Sequence, residues 1–555
     1  MMSKKGTKIN TIILSAGKFN PKNITGGLIT DPGLLPIRGK PAINWCLDSA
    51  LKNGAENIKI VLRENNTRLS RFLGYGYPEV RQYFIDGNSD FSASLLGLLQ
   101  SCDINLPTQI IFGDTLIDEP FPTEPDVFLT SPEIKTSKQW CLVTKDATSH
   151  LDKIYNKERD IPLNDKEALV GYYKFSDTAL LINLMTAEFI SPQTNFINIL
   201  KSYHAKHPIY LKTTHHWFDF GHISGAVQAR LGLFSAREFN TLKVDAIRGT
   251  ITKISAKKQK LLDEAYWYQA LPKAVSCYAP RVFSVTEDTT KATVEMELYG
   301  YANLAETFIY GSNNLEDWYN IIEALLKVHK VFESYTEPQD KSELIEIYQT
   351  KTAHRLKEIY THNPIIAEMM QSDYLTVNTA SYKNFPLLES RLNEEINHLL
   401  DYPHRTIVHG DYCFSNILFD PMHYIFKLVD PRGRFKTQSI YGDPRYDIAK
   451  LRHSIVGLYD FIVAGLYKLT QTGNNSYEFQ ISTPILTEKL EPFFDKQVAA
   501  YGYDRREIKL IEALLFLTMI PLHADDTNRQ KAFYLTAVQK LNEVLYNEQK
   551  ITHLH

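Results

Sequence analysis

The sequence predicts an α/β chain of two modules in tandem: a mainly parallel sheet covered by helices on both faces, then an α+β module with a small sheet-bearing part and a larger helical part. Three observations carry this. From Ile9 to about Gly221, short β-rich runs (INTIILSAG, NIKIVLR, TQIIFGD, QWCLVTKD, ALVGYYKF) alternate with helical stretches such as INWCLDSALKNG and SASLLGLLQSC. Alternation implies parallel neighbours, because a parallel pair needs a crossover long enough to hold a helix. Near Ala236 the texture changes: LKVDAIRGTITKIS reads as two strands about a Gly-containing turn, KKQKLLDEAYWYQALP as a helix, and APRVFSV and ATVEMEL as two more strands. After Leu304 helix dominates. Trp318, Ile321, Ile322, Leu325, Val328 and Phe332 recur at three- and four-residue spacing as one apolar face, and TIVHGD and FKLVDPRG are the only β-like interruptions.

At 555 residues the chain exceeds what one core organises, at about 100–200 residues per domain. The pattern divides it into 1–235, 236–304 and 305–555. Apolar residues make up 44% and charged residues 23%, so each part buries a core rather than staying disordered. A formal net charge of −3 lacks the basic surface that nucleic-acid phosphates require. The five cysteines form no CxxC pair, which argues against a zinc site or disulfide framework and fits a reducing cytoplasm. No run of about 18 apolar residues occurs, so membrane insertion is not expected, and the first apolar run reads as a buried strand. Oligomeric state is not legible.

SAGKFNPKNITGG follows the first strand, at the strand end where parallel sheets bind ligands. Its glycines, Gly17 first, let backbone N–H groups approach phosphate. Asp114 in QIIFGDT and Asp219 in KTTHHWFDFGH each close a strand-like run. That placement lets two carboxylates face one cleft and share a Mg²⁺, although either alone also reads as a turn residue. Together with TDPGLLPIRGKPAINWCLDSALKNG and DGNSDFSASLLGLLQ, these segments resemble the nucleotidyltransferases that make nucleotide sugars or CDP-activated alcohols. The resemblance implies a Rossmann-like sheet, Gly87, Ser92 and Ser94 near the nucleobase, metal positions at Asp114 and Asp219, and Lys157 (KIYNKERD) and Gly171 (ALVGYYKF) on the acceptor side. In that reaction an acceptor phosphate attacks the α-phosphorus of CTP, UTP, GTP or dTTP, and pyrophosphate leaves. One departure stands out: the family's Pro-Lys pair reads Pro32-Gly33 here. Losing a cation at the leaving pyrophosphate costs several kcal/mol of transition-state stabilisation, and Lys18, Lys22 or Arg38 is expected to replace it.

HGDYCFSNILFD places Asp411 five residues before Asn416, and KLVDPRG adds Asp430 after an apolar run. Phosphoryl transfer needs a base at the accepting hydroxyl and oxygen ligands for magnesium. Three such side chains at turn positions supply both; the plainer alternative is two local turns and an Asp that merely precedes a proline. In this order the two motifs resemble the aminoglycoside-phosphotransferase and choline-kinase-like branch of the protein-kinase fold, which implies a bilobal protein-kinase-like domain. By that resemblance Asp411 is the catalytic base, Asn416 and Asp430 hold Mg²⁺, His409 and Gly410 build the catalytic loop, and Asp443 and Asp447 of GDPRYDIAKL are structural. ATP needs a cation and an acid that positions it. Lys253 with Glu264 fits, while Lys257, Lys258 and Lys260 read as a solvated helix start. Gly249 is expected in the turn that covers the phosphates, and VEMELYGYANLAETF resembles the family's hinge, which implies that backbone groups around Met296 and Leu298 meet the adenine. Acceptor candidates are Arg432, Arg434, Tyr412 and the segment His523, Asp525, Asp526, which also reads as a helix cap.

The function expected is that of a bifunctional transferase. One module phosphorylates a hydroxyl of a sugar or amino alcohol from ATP; the other couples that phosphate to an NMP, giving an activated precursor for a surface polysaccharide or lipid. The alternatives are a kinase carrying a degenerate nucleotide-binding module, and a non-catalytic scaffold.

Overall fold

The structure is a computed structural model that describes residues 8–16, 29, 31–37, 39–86, 91–134, 136–158, 160–189, 196–222, 240–483 and 487–546. It divides into two compact units, Met1–Leu233 and Phe234–His555.

In the first unit, β1 (Asn10–Leu14), β2 (Lys59–Arg63), β3 (Arg81–Ile85) and β4 (Thr108–Phe112) are parallel neighbours in the order β4-β1-β2-β3. β1 is buried from Thr11 to Leu14, as a strand covered on both faces must be, and Ile12 and Ile13 are fully buried. The helix α1 (Ala42–Lys52) turns Ala42, Ile43, Cys46, Leu47 and Ala50 inward at helical spacing. A short β5 (Thr115–Ile117) follows β4. Then come β6 (Val127–Ser131), β7 (Cys141–Lys145), β8 (Leu151–Asn156), β9 (Glu167–Phe175), β10 (Tyr210–Thr213) and β11 (Trp217–Asp219). The sheet is rich in parallel pairs, as expected, and also carries antiparallel ones: β9 runs antiparallel to β4, β6 and β7, and β7 runs antiparallel to β8. The reason is covalent. Among the described residues no helix lies between 141 and 175, so successive strands fold back on one another instead of crossing over. The result is a nine-stranded mixed sheet whose N-terminal half is parallel.

The second unit opens with β12 (Asn240–Asp245), β13 (Thr250–Ser255), α2 (Lys258–Ala270), β14 (Val282–Glu287) and β15 (Ala292–Glu297). They form an antiparallel sheet in the order β12-β13-β15-β14. Asn303 then caps a short helix, Leu304–Tyr310, through a capping box with Glu306. The long α3 (Leu315–Glu333) buries Trp318, Ile321, Ile322, Leu325, Val328 and Phe332, and α4 (Lys351–His362) follows.

The helical part holds more strand than expected. β16 (Tyr374–Val377), β17 (Ala380–Lys383), β21 (Tyr467–Gly473) and β22 (Ser476–Ile481) make a four-stranded sheet. The signal lay in the turns: Asn378 and Asn475 sit at φ +57° and +59°, a left-handed conformation that asparagine tolerates in hairpins. Between these pairs lie β18 (His404–Ile407), the hairpin of β19 (Ile417–Asp420) and β20 (Ile425–Leu428), and α5 (Pro444–Ile455). Two long helices close the described chain, α6 (Arg505–Met519) and α7 (Thr527–Tyr546).

Candidate active sites

In the first unit, β4 ends at Phe112 and delivers Asp114, while β11 ends on Asp219 and pairs with β5 at Thr115. Both carboxylates close on Gly221: a Cβ there would run into Asp114 Oδ2 and lie 3.3 Å from Asp219 Oδ1. Only glycine permits that approach. Burial first, then the charge of Asp219, raises Asp114 to about 6. His222 Nδ1 lies 3.0 Å from Asp219 Oδ2, a hydrogen bond that raises the imidazole pKa despite burial. Two part-buried carboxylates repelling each other at strand ends suit a divalent cation that shares its remaining ligands with phosphate oxygens. Among the described residues no group of three or more His, Cys, Asp or Glu forms a self-sufficient metal cage.

Lys157 lies on the same side, close enough to favour the ionised form of Asp114, with its backbone at φ +52° and its N–H donating to Trp140 O. Gly171 sits in β9 against Phe112. Ser92 and Ser94 fall in the helix Phe91–Leu99. Gly17, Lys18, Lys22, Arg38 and Gly87 lie outside the described residues. Gly33 is buried under Leu69, whose Cδ2 would lie 2.7 Å from a Cβ at that position, and its N–H donates to the carboxylate of Asp31. A wall that sequence reasoning missed stands beside the carboxylates. Trp140 packs on Trp217 and on His222, with ring centroids 4.9 and 4.6 Å apart. The signal available was Trp217 and His222 flanking Asp219 within three residues.

In the second unit, side chains far apart in sequence close a ring. Lys253 Nζ on β13 lies 2.6 Å from Glu264 Oε2 on α2 and 2.8 Å from Asp430 Oδ1. Tyr268 hydroxyl donates to Glu264 Oε1 and accepts from the Asp430 N–H at 3.0 Å. Glu264, Trp267 and Tyr268 share one face of α2 at i, i+3 and i+4, and Trp267 Nε1 donates to Val408 O, which moors the helix to the strand leading into the His409–Asp411 loop. Burial alone would lower the Lys253 pKa, but Asp430 and Glu264 raise it, so the ammonium stays charged. Asp430 holds φ +56°, a strained backbone of the kind that clusters at functional sites.

The loop after β18 is fixed by one face of α5. Asp447 accepts from His409 N at 2.6 Å and Gly410 N at 2.8 Å; Lys450 Nζ reaches Asp411 Oδ1 at 2.8 Å; Ser454 Oγ accepts from Phe414 N at 3.1 Å. These are positions i, i+3 and i+7. His409 Nε2 donates to Val429 O and Nδ1 accepts from Asp411 N, which sets the tautomer. Asn416 Nδ2 donates to Asp411 Oδ2 at 3.0 Å. Although burial pushes the Asp411 carboxyl up, Lys450, with His409 and Asn416 behind it, holds it well below the usual carboxylate range. Its side chain keeps 42% of its exposure, so a hydroxyl can reach it.

The remaining expectations sort themselves. Gly249, at φ +63°, ends the turn between β12 and β13. Met296 lies next to the end of β15, and the N–H of Leu298 donates to Gly249 O. Lys258 pairs with Glu287. Asp443 caps α5 and binds Arg445. Arg432 stacks on Phe435, Arg434 is held by Asp263, and Tyr412 is buried and donates to Leu325 O. Asp526 caps α7, accepting from Arg529 N. Lys450 was missed, although its place three residues after Asp447 in GDPRYDIAKL put it on the same helix face. No helix among the described residues is long and apolar enough to cross a membrane.

No protein-family model matches the chain, and no curated protein matches it. Solved structures do. A glucose-1-phosphate thymidylyltransferase from Bacillus anthracis, described as putative, is 14% identical over 41% of this chain and 96% of its own, with a TM-score of 0.35. CTP:phosphocholine cytidylyltransferase from Streptococcus pneumoniae is 14% identical over 40% and 98%, with a TM-score of 0.34. UDP-glucose pyrophosphorylase from Acinetobacter baumanii is 11% identical over 41% and 94%, with a TM-score of 0.34.

Proposed function

We propose that the chain is a bifunctional transferase: residues 236–555 phosphorylate a hydroxyl of a small metabolite from ATP, and residues 1–235 couple the resulting phosphate to an NMP from a second NTP. The observation that carries the reading is the ring of Lys253, Glu264, Tyr268 and Asp430 beside the loop of Asp411 and Asn416. It supplies each part that phosphoryl transfer requires: a cation for the nucleotide phosphates, an acid that positions it, oxygen ligands, and an ionised base. Residues 236–304 would hold ATP, and 305–555 the acceptor. Asp411 takes the hydroxyl proton as the oxygen attacks the γ-phosphorus, and Lys450 keeps the carboxylate ionised and aimed. Asn416 and Asp430 would hold Mg²⁺, as would Asp114 and Asp219 in the first unit; the ion neutralises phosphate charge when bound.

In the first unit the acceptor is already a phosphate, so no hydroxyl need be activated. Lys157 would steady it against the α-phosphorus while pyrophosphate departs. A fusion in which one site's product is the other's substrate fits the making of an activated precursor for a surface polysaccharide or lipid.

The packing of Leu69 over Gly33 favours a second reading, in which the first unit binds a nucleotide without turning it over. One experiment separates them. The full chain is incubated with ATP, CTP, UTP, GTP and dTTP plus a panel of sugars and small alcohols, with ADP and pyrophosphate followed separately. The bifunctional reading expects both products; ADP alone leaves the kinase, and neither refutes both.

A further inference from the structure

Three cations converge on one tyrosine beside Asp411. Lys351, at the start of α4, places Nζ 3.0 Å from the Tyr446 hydroxyl and 5.3 Å from its ring centroid. The Arg432 guanidinium lies 5.8 Å from the same centroid. Lys450, one turn beyond Tyr446 on α5, holds Asp411 Oδ1 at 2.8 Å.

The charges do not balance. Lys450 has Asp411, but Lys351 and Arg432 have no carboxylate partner among the described residues. Burial, Arg432 and Lys450 push the Lys351 ammonium down. Burial alone would raise the Tyr446 phenol, yet Lys351, Lys450 and Arg432 pull it to about 8. Asp460, a further carboxylate acting on Lys450, is itself raised to about 6, burial being the chief cause. Grouping like charges in a half-buried place is unfavourable, so an external anion that joins them gains more there than at an ordinary surface.

Geometry says which substrate that anion belongs to. Lys450 joins the cluster to Asp411 Oδ1, and the Arg432 side chain packs against Gly410, next to that base, whereas Asn416 contacts the other oxygen, Oδ2. The cluster therefore lies beside the base, where the acceptor must come.

We propose that Lys351 and Arg432 form the anion-binding half of the acceptor subsite, so that the alcohol phosphorylated at Asp411 carries a carboxylate or phosphate of its own. The proposal rests on the kinase reading of this unit. It also narrows it, because an amino alcohol would bring a fourth cation to the same place. The acceptor hydroxyl gives its proton to Asp411 as its oxygen bonds to the γ-phosphorus, and the bond from that phosphorus to the ADP oxygen breaks. Lys351 and Arg432 hold the far end of the molecule so that the hydroxyl meets Asp411.

The test is calorimetric titration of the full chain, saturated with Mg²⁺ and the non-hydrolysable ATP analogue AMP-PNP, with four small probes: glycerate, glycerol 3-phosphate, glycerol and ethanolamine. We expect saturable binding of at least one anion, at least tenfold tighter than glycerol or ethanolamine, and at least tenfold weakening in Arg432→Gln and in Lys351→Met. Comparing glycerate with glycerol 3-phosphate, by binding and by ADP formation with ATP, separates a carboxylate from a phosphate acceptor. Circular-dichroism melting checks that the variants fold, and Arg432, partly exposed, covers the case in which the more buried Lys351→Met does not. Binding of glycerol or ethanolamine as tight as the anions, failure of both anions to saturate, or unchanged anion affinity in a folded variant overturns the proposal. Failure of the kinase reading shows separately, as AMP-PNP binding that is absent from the unaltered protein or indifferent to Lys253→Met.

Discussion

Asp114 and Asp219 face each other with His222 on the second of them, whereas Asp411 and Asp430 each hold a lysine, Lys450 and Lys253. Two pairs of carboxylates thus sit in opposite electrostatic surroundings, one in mutual repulsion and one against cations. In the first unit, burial and repulsion raise Asp114 to about 6, so the fold carries a cost that a bound cation relieves. In the second, lysines have already cancelled the charge, so a metal bound there as proposed would have to compete with Lys253 for Asp430. On the proposed reading, one site would gather its affinity from stored repulsion, and the other would exchange one cation for another.

The largest effects test whether the two sites are separate. Asp411→Ala should lower ADP formation about 10³-fold, in the range for loss of a general base, and leave pyrophosphate release from a supplied phosphorylated acceptor unchanged. Asp114→Ala should do the reverse, by a similar factor, through loss of a metal-holding carboxylate. One substitution that removed both activities would break the division into two sites. Next in size, Lys253→Met should raise the KM for ATP about 10- to 100-fold, read from initial rates, because Glu264 cannot replace the cation that meets the phosphates.

Opposite signs in stability sharpen the comparison further. Without metal, Asp114→Asn removes a buried, repelled carboxylate, and at pH 7.5 should stabilise the first unit by up to about 3 kcal/mol, since each pKa unit is worth about 1.4 kcal/mol. Asp430→Asn takes a partner from Lys253 and should lower the melting transition of the second unit. Calorimetric scans in EDTA read both, and melting shifts of the same sign would remove the contrast.

Local chemistry was legible where the chain writes it in one short run. HGDYCFSN and KLVDPRG offered Asp411, Asn416 and Asp430; Asn416 contacts Asp411, and Asp430 meets Lys253. The Lys253–Glu264 pair was also legible, because a hairpin followed at once by a helix leaves few ways to bring a strand lysine to a helical acid. Lys351 was not, since it lies 95 residues from Tyr446 and nothing in its helix marks the inward turn. The antiparallel half of the first sheet escaped for another reason. CLVTK and LDKIYN are too short for periodicity to separate a parallel from an antiparallel neighbour, and the direction is set by the connections between them.

The smallest effect concerns Asp31, in the loop that lacks the lysine. Its carboxylate accepts from Gly33 N at 3.1 Å, while Oδ2 has no hydrogen-bond partner among the described residues. Burial raises it to about 6 from 3.8, against the pull of that backbone bond. The folded state then binds more protons than the unfolded one between these values, so stability falls as pH rises from about 4 to 6 and the cost persists above. Asp31→Asn keeps an oxygen for the Gly33 N–H and removes the charge. Urea unfolding of the first unit's transition should show the variant about 2 kcal/mol more stable at pH 7.5, nearly equal at pH 4, and flatter between. If the two proteins instead keep the same slope, the carboxylate is ionised in the folded loop and some cation reaches it. That cation would then be a candidate to stand in for the lysine that Gly33 and Leu69 exclude.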